Sequence, residues 1–227
     1  MSSNFDYIIV GAGSSGCVLA NRLSADPKNS VCLLEAGPPD WNPFIHIPAG
    51  FIKTLTNPSV NWLFKSEPSW GTAGRVIDIP RGKTLGGSSS INGMVFNRGQ
   101  NLDFDVWAQK GNKGWSYSDL LPYFKRYENR IGEYDELYRG RSGELPITDL
   151  EYRDPLCEAF IQGAIEEGIP LNKDYNGENQ EGVSYVQRTT KGRFRVSAAR
   201  AFLNPVKNRK NLEIITNAFV TKIIIEN

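Results

Sequence analysis

The residues best placed to do chemistry come early in the chain. Gly11-Ala12-Gly13-Ser14-Ser15-Gly16 forms a G-x-G-x-x-G run. Such a run suits the diphosphate of a dinucleotide. Its first glycine permits a tight turn, its second leaves open the space a Cβ would block, and its third lets a helix pack closely on a strand. The backbone N–H groups of the first helical turn, with the positive end of the helix dipole, then favour the phosphate charge. Glu35 ends the next apolar run, where its carboxylate can accept hydrogen bonds from a ribose diol and repel a 2′-phosphate. FAD or NAD is therefore favoured over NADP, and a Gly-rich turn with no ligand is the bland alternative.

A second glycine segment follows: Arg81-Gly82-Lys83-Thr84-Leu85-Gly86-Gly87-Ser88-Ser89-Ser90-Ile91-Asn92-Gly93-Met94-Val95. Its Gly82-Lys83-Thr84 could close a Walker A loop, but Ile77 stands where that loop needs its first glycine, so a P-loop is excluded. Paired glycines before three serines offer N–H groups and hydroxyls to an anion or to a polar ring edge. A flexible Ser/Gly turn would have the same look.

These motifs need elements to position them. Tyr7-Ile8-Ile9-Val10 is a short apolar, β-branched run, which fits a strand covered on both faces of a parallel sheet. Cys17, Val18, Leu19, Ala20 and Leu23 recur at roughly helical spacing, Asp26-Pro27-Lys28-Asn29 breaks the pattern, and Val31-Cys32-Leu33-Leu34 reads as a second strand. Together they predict a βαβ unit. Residues 38–81 read as a long excursion with at most short helices, of the kind that covers a site or moves. Helices are predicted over 119–128, 155–167 and 197–203, the last capped by Ser197. Residues 212–216 and 219–225 read as strands of a hairpin or as neighbours in the main sheet. An apolar strand as the last element, with nothing to cover it, predicts that the sequence is part of a longer chain.

Composition narrows the field. The 227 residues carry 26 Lys and Arg against 25 Asp and Glu, a formal charge of +1, which gives no general attraction to nucleic acid. Residues 188–210 are locally basic, which reads as a solvated face with a few ion pairs, or else as a phosphate- or partner-binding patch. A 40% hydrophobic fraction with 22 glycines fits a chain that buries a core. No apolar run approaches the roughly 18–20 residues needed to span a bilayer. The opening Met1-Ser2-Ser3-Asn4-Phe5-Asp6 has no basic region and does not read as a secretory signal. Cys17, Cys32 and Cys157 form no CxxC pair, which points to a reducing, cytoplasmic setting. His46 is the only histidine and has no second ligand at metal spacing, so no metal is expected. Flanked by Ile45 and Ile47, it reads as a satisfied, partly buried side chain.

The 81–95 segment resembles the first signature of the glucose–methanol–choline (GMC) oxidoreductases, flavoenzymes that mostly oxidise alcohols. The resemblance runs on through Phe96-Asn97-Arg98-Gly99, Asp103-Phe104-Asp105-Val106-Trp107 and Gly111-Asn112-Lys113-Gly114-Trp115 to Arg195-Val196-Ser197-Ala198-Ala199, and it includes the opening fingerprint and Asn61-Trp62. It covers nearly the whole chain and looks nearest to bacterial choline-dehydrogenase-like and alcohol-dehydrogenase-like members. It implies that Gly11, Gly13, Ser14, Ser15 and Gly16 hold the pyrophosphate of FAD, with Glu35 and Ala36 at the adenosine ribose. By the same resemblance Gly86, Gly87 and Ser88 line the pyrophosphate and ribityl region, and Arg81 is a further cofactor-binding residue. Asn92, Gly93, Met94 and Val95 approach the reactive edge of the isoalloxazine ring, and Val220 meets the adenine. Members that bond flavin covalently carry a His where Ile91 stands, so dissociable FAD is implied. The family's catalytic base is a downstream His, and no residue of this sequence matches it.

The expected fold class is α/β (α+β overall): a Rossmann-like FAD-binding domain with the beginning of a second, substrate-binding domain. Residues 1–100 would form the FAD-binding unit and flavin wrap, 101–200 the start of the substrate region, and 201–227 the returning strands. The implied activity is oxidation of a small-molecule alcohol by hydride transfer to flavin. The electron acceptor stays unspecified, and a missing C-terminal part is needed. A non-catalytic FAD-binding fragment, a lyase or photodecarboxylase on the same scaffold, and a NAD-binding module remain alternatives.

Overall fold

The computed structural model describes residues 4–225; Met1-Ser2-Ser3 and Glu226-Asn227, which enter the readings of both chain ends, lie outside the described residues. The chain divides into two compact units, one of Met1–Met94 with Gly192–Asn227 and one of Val95–Lys191.

In the first unit, Tyr7–Val10 (β1) and Val31–Leu34 (β2) pair in parallel, with Tyr7 opposite Val31. Leu212–Ile215 pairs in parallel with the other edge of β2, Leu212 also opposite Val31. The three strands therefore run in the order β1, β2, 212–215. Parallel neighbours need a crossover, and Ser14–Leu23 (α1) supplies the first one. Its inward positions are small: Gly16, Cys17 and Ala20 are buried, so the helix can lie close to the sheet. The Asn21 side chain donates to the Phe202 carbonyl at 2.7 Å, tying α1 to the Ala199–Leu203 turn. That turn is a π-helix starting two residues inside the predicted segment; its N-cap is Ala198 and not the expected Ser197, whose Oγ accepts from Arg200 N–H at 3.2 Å.

β2 is the apolar centre of this sheet. Val31 and Leu33 are fully buried, each contributing about 1.5–3 kcal/mol through burial. β1 does not meet the expectation of two covered faces. Ile9 is buried, but Tyr7, Ile8 and Val10 are exposed, because among the described residues β1 has a strand on one side only. The hairpin reading of the C-terminal segment gives way to the parallel neighbour at 212–215. The 219–225 stretch forms no strand among the described residues, since no ladder partner lies beside it.

The 38–81 excursion holds the short helices Pro43–His46 and Phe51–Thr54, as expected, and also an antiparallel pair that periodicity did not reveal, Phe64–Lys65 with Asp78–Ile79. Ile45, Val60 and Ile91 bury one another and anchor it. His46 Nε2 lies 2.6 Å from the Asp40 carbonyl, which satisfies the ring as expected.

The second unit is built on two short strand pairs: Val95–Phe96 antiparallel to Gln187–Arg188, and Glu128–Arg130 parallel to Leu145–Ile147. The predicted helices appear at Tyr117–Tyr127 and Pro155–Glu166, joined by Asn101–Gln109. Ser116 and Asp119 form a capping box on one, and Asp154 Oδ1 accepts from Leu156 N–H at 2.9 Å on another. Phe104 stands 5.4 Å from Phe124 and 5.6 Å from Trp107, ring centre to ring centre, and fastens two of these helices. Glu128, fully buried, receives the guanidinium groups of Arg98 and Arg139, and Arg139 also pairs with Asp174. No helix among the described residues is long and apolar enough to cross a membrane.

Candidate functional site

The site lies in the first unit, at the carboxyl ends of β1 and β2. Beyond Val10 the chain turns through Gly11 at φ +94°, a left-handed conformation that L side chains rarely adopt. Gly11 N–H donates to the Leu34 carbonyl at 2.7 Å and keeps the turn in register with β2. Gly13 is the N-cap of α1 and supplies no side-chain acceptor, and the first turn holds no acid. The leading N–H groups of this ten-residue helix thus point outward with the positive end of the dipole. That is the arrangement an anion needs.

A cavity of about 440 Å³ opens at this point. Among the candidate residues it brings together Gly11, Gly13, Ser14, Glu35, Ala36, Arg81, Gly87, Ser88 and Val220. A Cβ built on Gly13 would meet no protein atom within 4 Å, so the space in front of it is free for a ligand. Gly87, at φ +53°, is different: a Cβ there would meet the Gly13 Cα at 2.7 Å, so the two glycine segments touch backbone to backbone. Gly16 has a purely packing role, since a Cβ there would run into the Gly11 carbonyl.

Glu35 is buried, and each of its oxygens already accepts one backbone hydrogen bond: Oε2 from Ala12 N–H at 2.8 Å and Oε1 from Gly37 N–H at 2.9 Å. Lone pairs remain on both for a diol. Arg81 is exposed on the rim, its guanidinium 3.5 Å from Ser88 Oγ, and Ser88 Oγ also accepts from Gly82 N–H at 3.1 Å. The cavity therefore has a cation and free amides at one part of its wall and a carboxylate at another, the charge distribution that a diphosphate joined to a ribose requires.

The other candidates do not line this cavity. Ser15 is exposed in the first turn of α1. Gly86 sits behind the wall at φ +88°, with its N–H 2.7 Å from the Ala12 carbonyl. Asn92 and Gly93 are exposed and Met94 is buried at φ +65°; all three lie in the segment after Ser90. Val95 opens the first strand of the second unit.

Residue patterns missed part of the wall. Trp62, Ala218 and Phe219 also line the cavity, and the Trp62 and Phe219 rings stand 5.8 Å apart. Lys83 Nζ lies 4.8 Å over the Trp62 ring. These residues stand far apart in sequence: Trp62 enters only through the resemblance and Phe219 only as the start of a predicted strand. In the locally basic 188–210 segment, Lys191, Arg193, Lys207 and Lys210 are exposed, and three arginines make structural contacts. Arg195 is buried on carbonyl groups, Arg200 covers the Phe194 ring at 5.5 Å, and Arg209 donates to the Asn21 carbonyl at 2.6 Å.

Cys17 lies beneath the turn, its Sγ 3.2 Å from the Ala12 carbonyl. Burial pushes its thiol up to about 12, with Glu35 and Asp40 adding to the rise against a hydrogen bond from Gly86. A thiol held there stays protonated at neutral pH.

The family profile of the GMC oxidoreductases matches residues 5–227. The alcohol dehydrogenase (acceptor) of Pseudomonas putida is 49% identical over 222 residues, covering 98% of this chain and 40% of its own length. The oxygen-dependent choline dehydrogenase of Sinorhizobium fredii is 46% identical over the same coverage of 98% and 40%. Among solved structures, pyridoxine 4-oxidase from Mesorbium loti superposes with a TM-score of 0.93 at 36% identity, over 99% of this chain and 44% of that one. The chain thus spans about 40% of the length of the curated relatives it matches. With the glycine cradle, the acidic end of β2 and a profile that runs through nearly every residue, this chain belongs to the GMC oxidoreductase family.

Proposed function

We propose that this chain is the flavin-binding portion of an FAD-dependent oxidoreductase that acts on the CH–OH group of a small alcohol. One observation carries the reading: the cavity at the ends of β1 and β2 sets open helix N–H groups and Arg81 against a buried Glu35, with Gly13 presenting empty space. The family is one of FAD-binding flavoproteins.

In this reading the N-terminal turn of α1, with Gly11, Gly13, Ser14 and Ser15, holds the diphosphate, and Arg81 and Ser88 close on it from the second glycine segment. Glu35 and Ala36 take the ribose. Trp62, Phe219 and Val220 offer apolar and aromatic surface to the base. Asn92, Gly93 and Met94 would take the ring. When bound, FAD supplies the acceptor for the two electrons and the hydrogen leaving the alcohol carbon. The chain's own residues bind and orient; the proton of the alcohol goes to a base beyond this segment.

Dissociable FAD is part of the proposal. Ile91 is 2% exposed and packed with Ile45 and Val60, so its position presents no nucleophile to a flavin. The first unit is assigned to the flavin and the second to the beginning of a substrate region. A cytoplasmic setting is assigned on the three unpaired cysteines.

Titrating the 227-residue chain with FAD, NAD and NADP in parallel tests the reading. The expected result is a perturbed flavin spectrum and a raised melting temperature with FAD, a weak response to NAD and none to NADP. Acid precipitation should leave the flavin in the supernatant. Absence of any response to FAD would overturn it.

A further inference from the structure

Arg195 is a buried charge without an opposite charge. It is 1% exposed, and among the described residues no carboxylate lies in ion-pair range of it. Its guanidinium instead donates to main chain and amide oxygens: Nε to the Ile45 carbonyl at 2.7 Å, Nη1 to the Ser89 carbonyl at 3.1 Å and to Asn92 Oδ1 at 2.7 Å, and Nη2 to the Asn92 carbonyl at 2.6 Å. Burial lowers its pKa to about 10, which still leaves it charged at neutral pH.

The contacts converge on one segment. Three of the four hold residues 89–92, and Asn92 Oδ1, fixed by Arg195, also accepts from Met94 N–H at 3.0 Å. Met94 sits at φ +65°, a conformation that persists for a bulky residue only where its surroundings over-determine it. Ser89 Oγ is held in turn by Ala198 N–H at 2.8 Å. The inner side of the segment is therefore gripped. Its outer side is open: Asn92 and Gly93 are exposed, and a Cβ on Gly93 would meet nothing within 4 Å.

A buried guanidinium is costly to keep unpaired. A fold that needed only packing here could use an apolar side chain, and one that needed only charge could use lysine. Only the planar fork can hold three main-chain carbonyls and a side-chain amide at once. Resting on the FAD reading above, we propose that Arg195 is the positioning residue of the 89–94 turn and sets a fixed positive charge beneath the surface on which the flavin ring lies. Reduction adds negative charge to that ring, so a preorganised cation under it favours the reduced form.

The test uses Arg195→Gln and Arg195→Lys in the 227-residue chain, with two readouts. The first is the reduction potential of bound FAD. The second is hydrogen exchange at the Met94 amide in flavin-free protein. Arg195→Gln should lower the potential by about 30 mV, a tenfold loss of preference for the reduced form in a two-electron couple. It should also speed Met94 exchange at least tenfold. Arg195→Lys keeps the charge and loses the fork, so exchange should quicken while the potential falls by less than half as much; it also serves if Arg195→Gln does not fold. An unchanged potential in Arg195→Gln, with FAD still bound, overturns the role of Arg195 alone. Failure of the unaltered chain to bind FAD overturns the site reading with it, and the two results cannot be confused.

Discussion

Glu35 Oε2 accepts the Ala12 N–H at 2.8 Å, so the acid at the end of β2 holds the glycine turn at the end of β1. The residue expected to meet a ribose is thus also a structural acceptor, because Oε1 takes Gly37 N–H as well. Glu35→Ala leaves two buried donors without acceptors, at about 1–3 kcal/mol each. The flavin-free variant should melt at least ~3 °C below the unaltered chain, using roughly 2–4 °C per kcal/mol for a chain of this size. If the two melt together in the absence of nucleotide, the carboxylate has no structural part.

Gly13 and Gly16 stand three positions apart in one motif, yet their substitution should fail in different ways. Gly13→Val places its side chain in open space, so the protein should fold with a melting temperature close to that of the unaltered chain, while FAD affinity drops at least a hundredfold. Gly16→Val drives a side chain into the Gly11 carbonyl and should destabilise the flavin-free protein by several kcal/mol, on the scale of overpacked cores. Circular dichroism melts with FAD titration separate the two. Full flavin binding by Gly13→Val would remove the diphosphate from this cavity.

How legible this was differed by element. The βαβ unit could be read directly, because apolar runs, a glycine turn and small inward residues of α1 all agree on one local structure. Residues 219–225 misled: their β-branched composition promises a strand, but a strand exists only with a ladder partner, and composition says nothing of partners. β1 was overestimated in burial for the same reason. In the site, residues tied to the glycine motifs could be found from spacing. Trp62 and Phe219 could not, since tertiary approach alone brings them within 5.8 Å. Arg195 read as one member of a basic stretch; its burial and its grip on Asn92 depend on a loop more than a hundred residues away in sequence.

Glu128 predicts the weak point of the second unit. It is fully buried and ion-pairs with both Arg98 and Arg139, besides accepting from Gly140 N–H at 3.1 Å. Removing one partner from a buried ion group leaves uncompensated charge and costs about 3–5 kcal/mol. Glu128→Gln should therefore open 95–191 to hydrogen exchange at least a hundredfold faster while amides of β2 exchange nearly as before. Uniform protection across both units in Glu128→Gln would show that the network adds no stability.

Cys17 makes the chain sensitive to alkali. In the folded protein burial raises its thiol to about 12, whereas an unfolded cysteine titrates near 8.5. A raised folded value means that its contribution to stability is complete below about pH 8.5. Above that pH the unfolded chain loses its proton first, so stability falls as pH rises towards 12. Burial raises Cys32 too, in the same direction, so both thiols steepen the decline. Melting temperature measured from pH 7 to pH 10 should drop more steeply in the unaltered chain than in Cys17→Ala, whatever the offset from the lost side chain. Native labelling at pH 8 should modify exposed Cys157 and spare Cys17, whose thiolate fraction there is roughly one in ten thousand. Parallel melting curves across that range, or labelling of Cys17 at the rate of Cys157, would mean that the turn beneath the glycine motif opens to solvent far more readily than its packing allows.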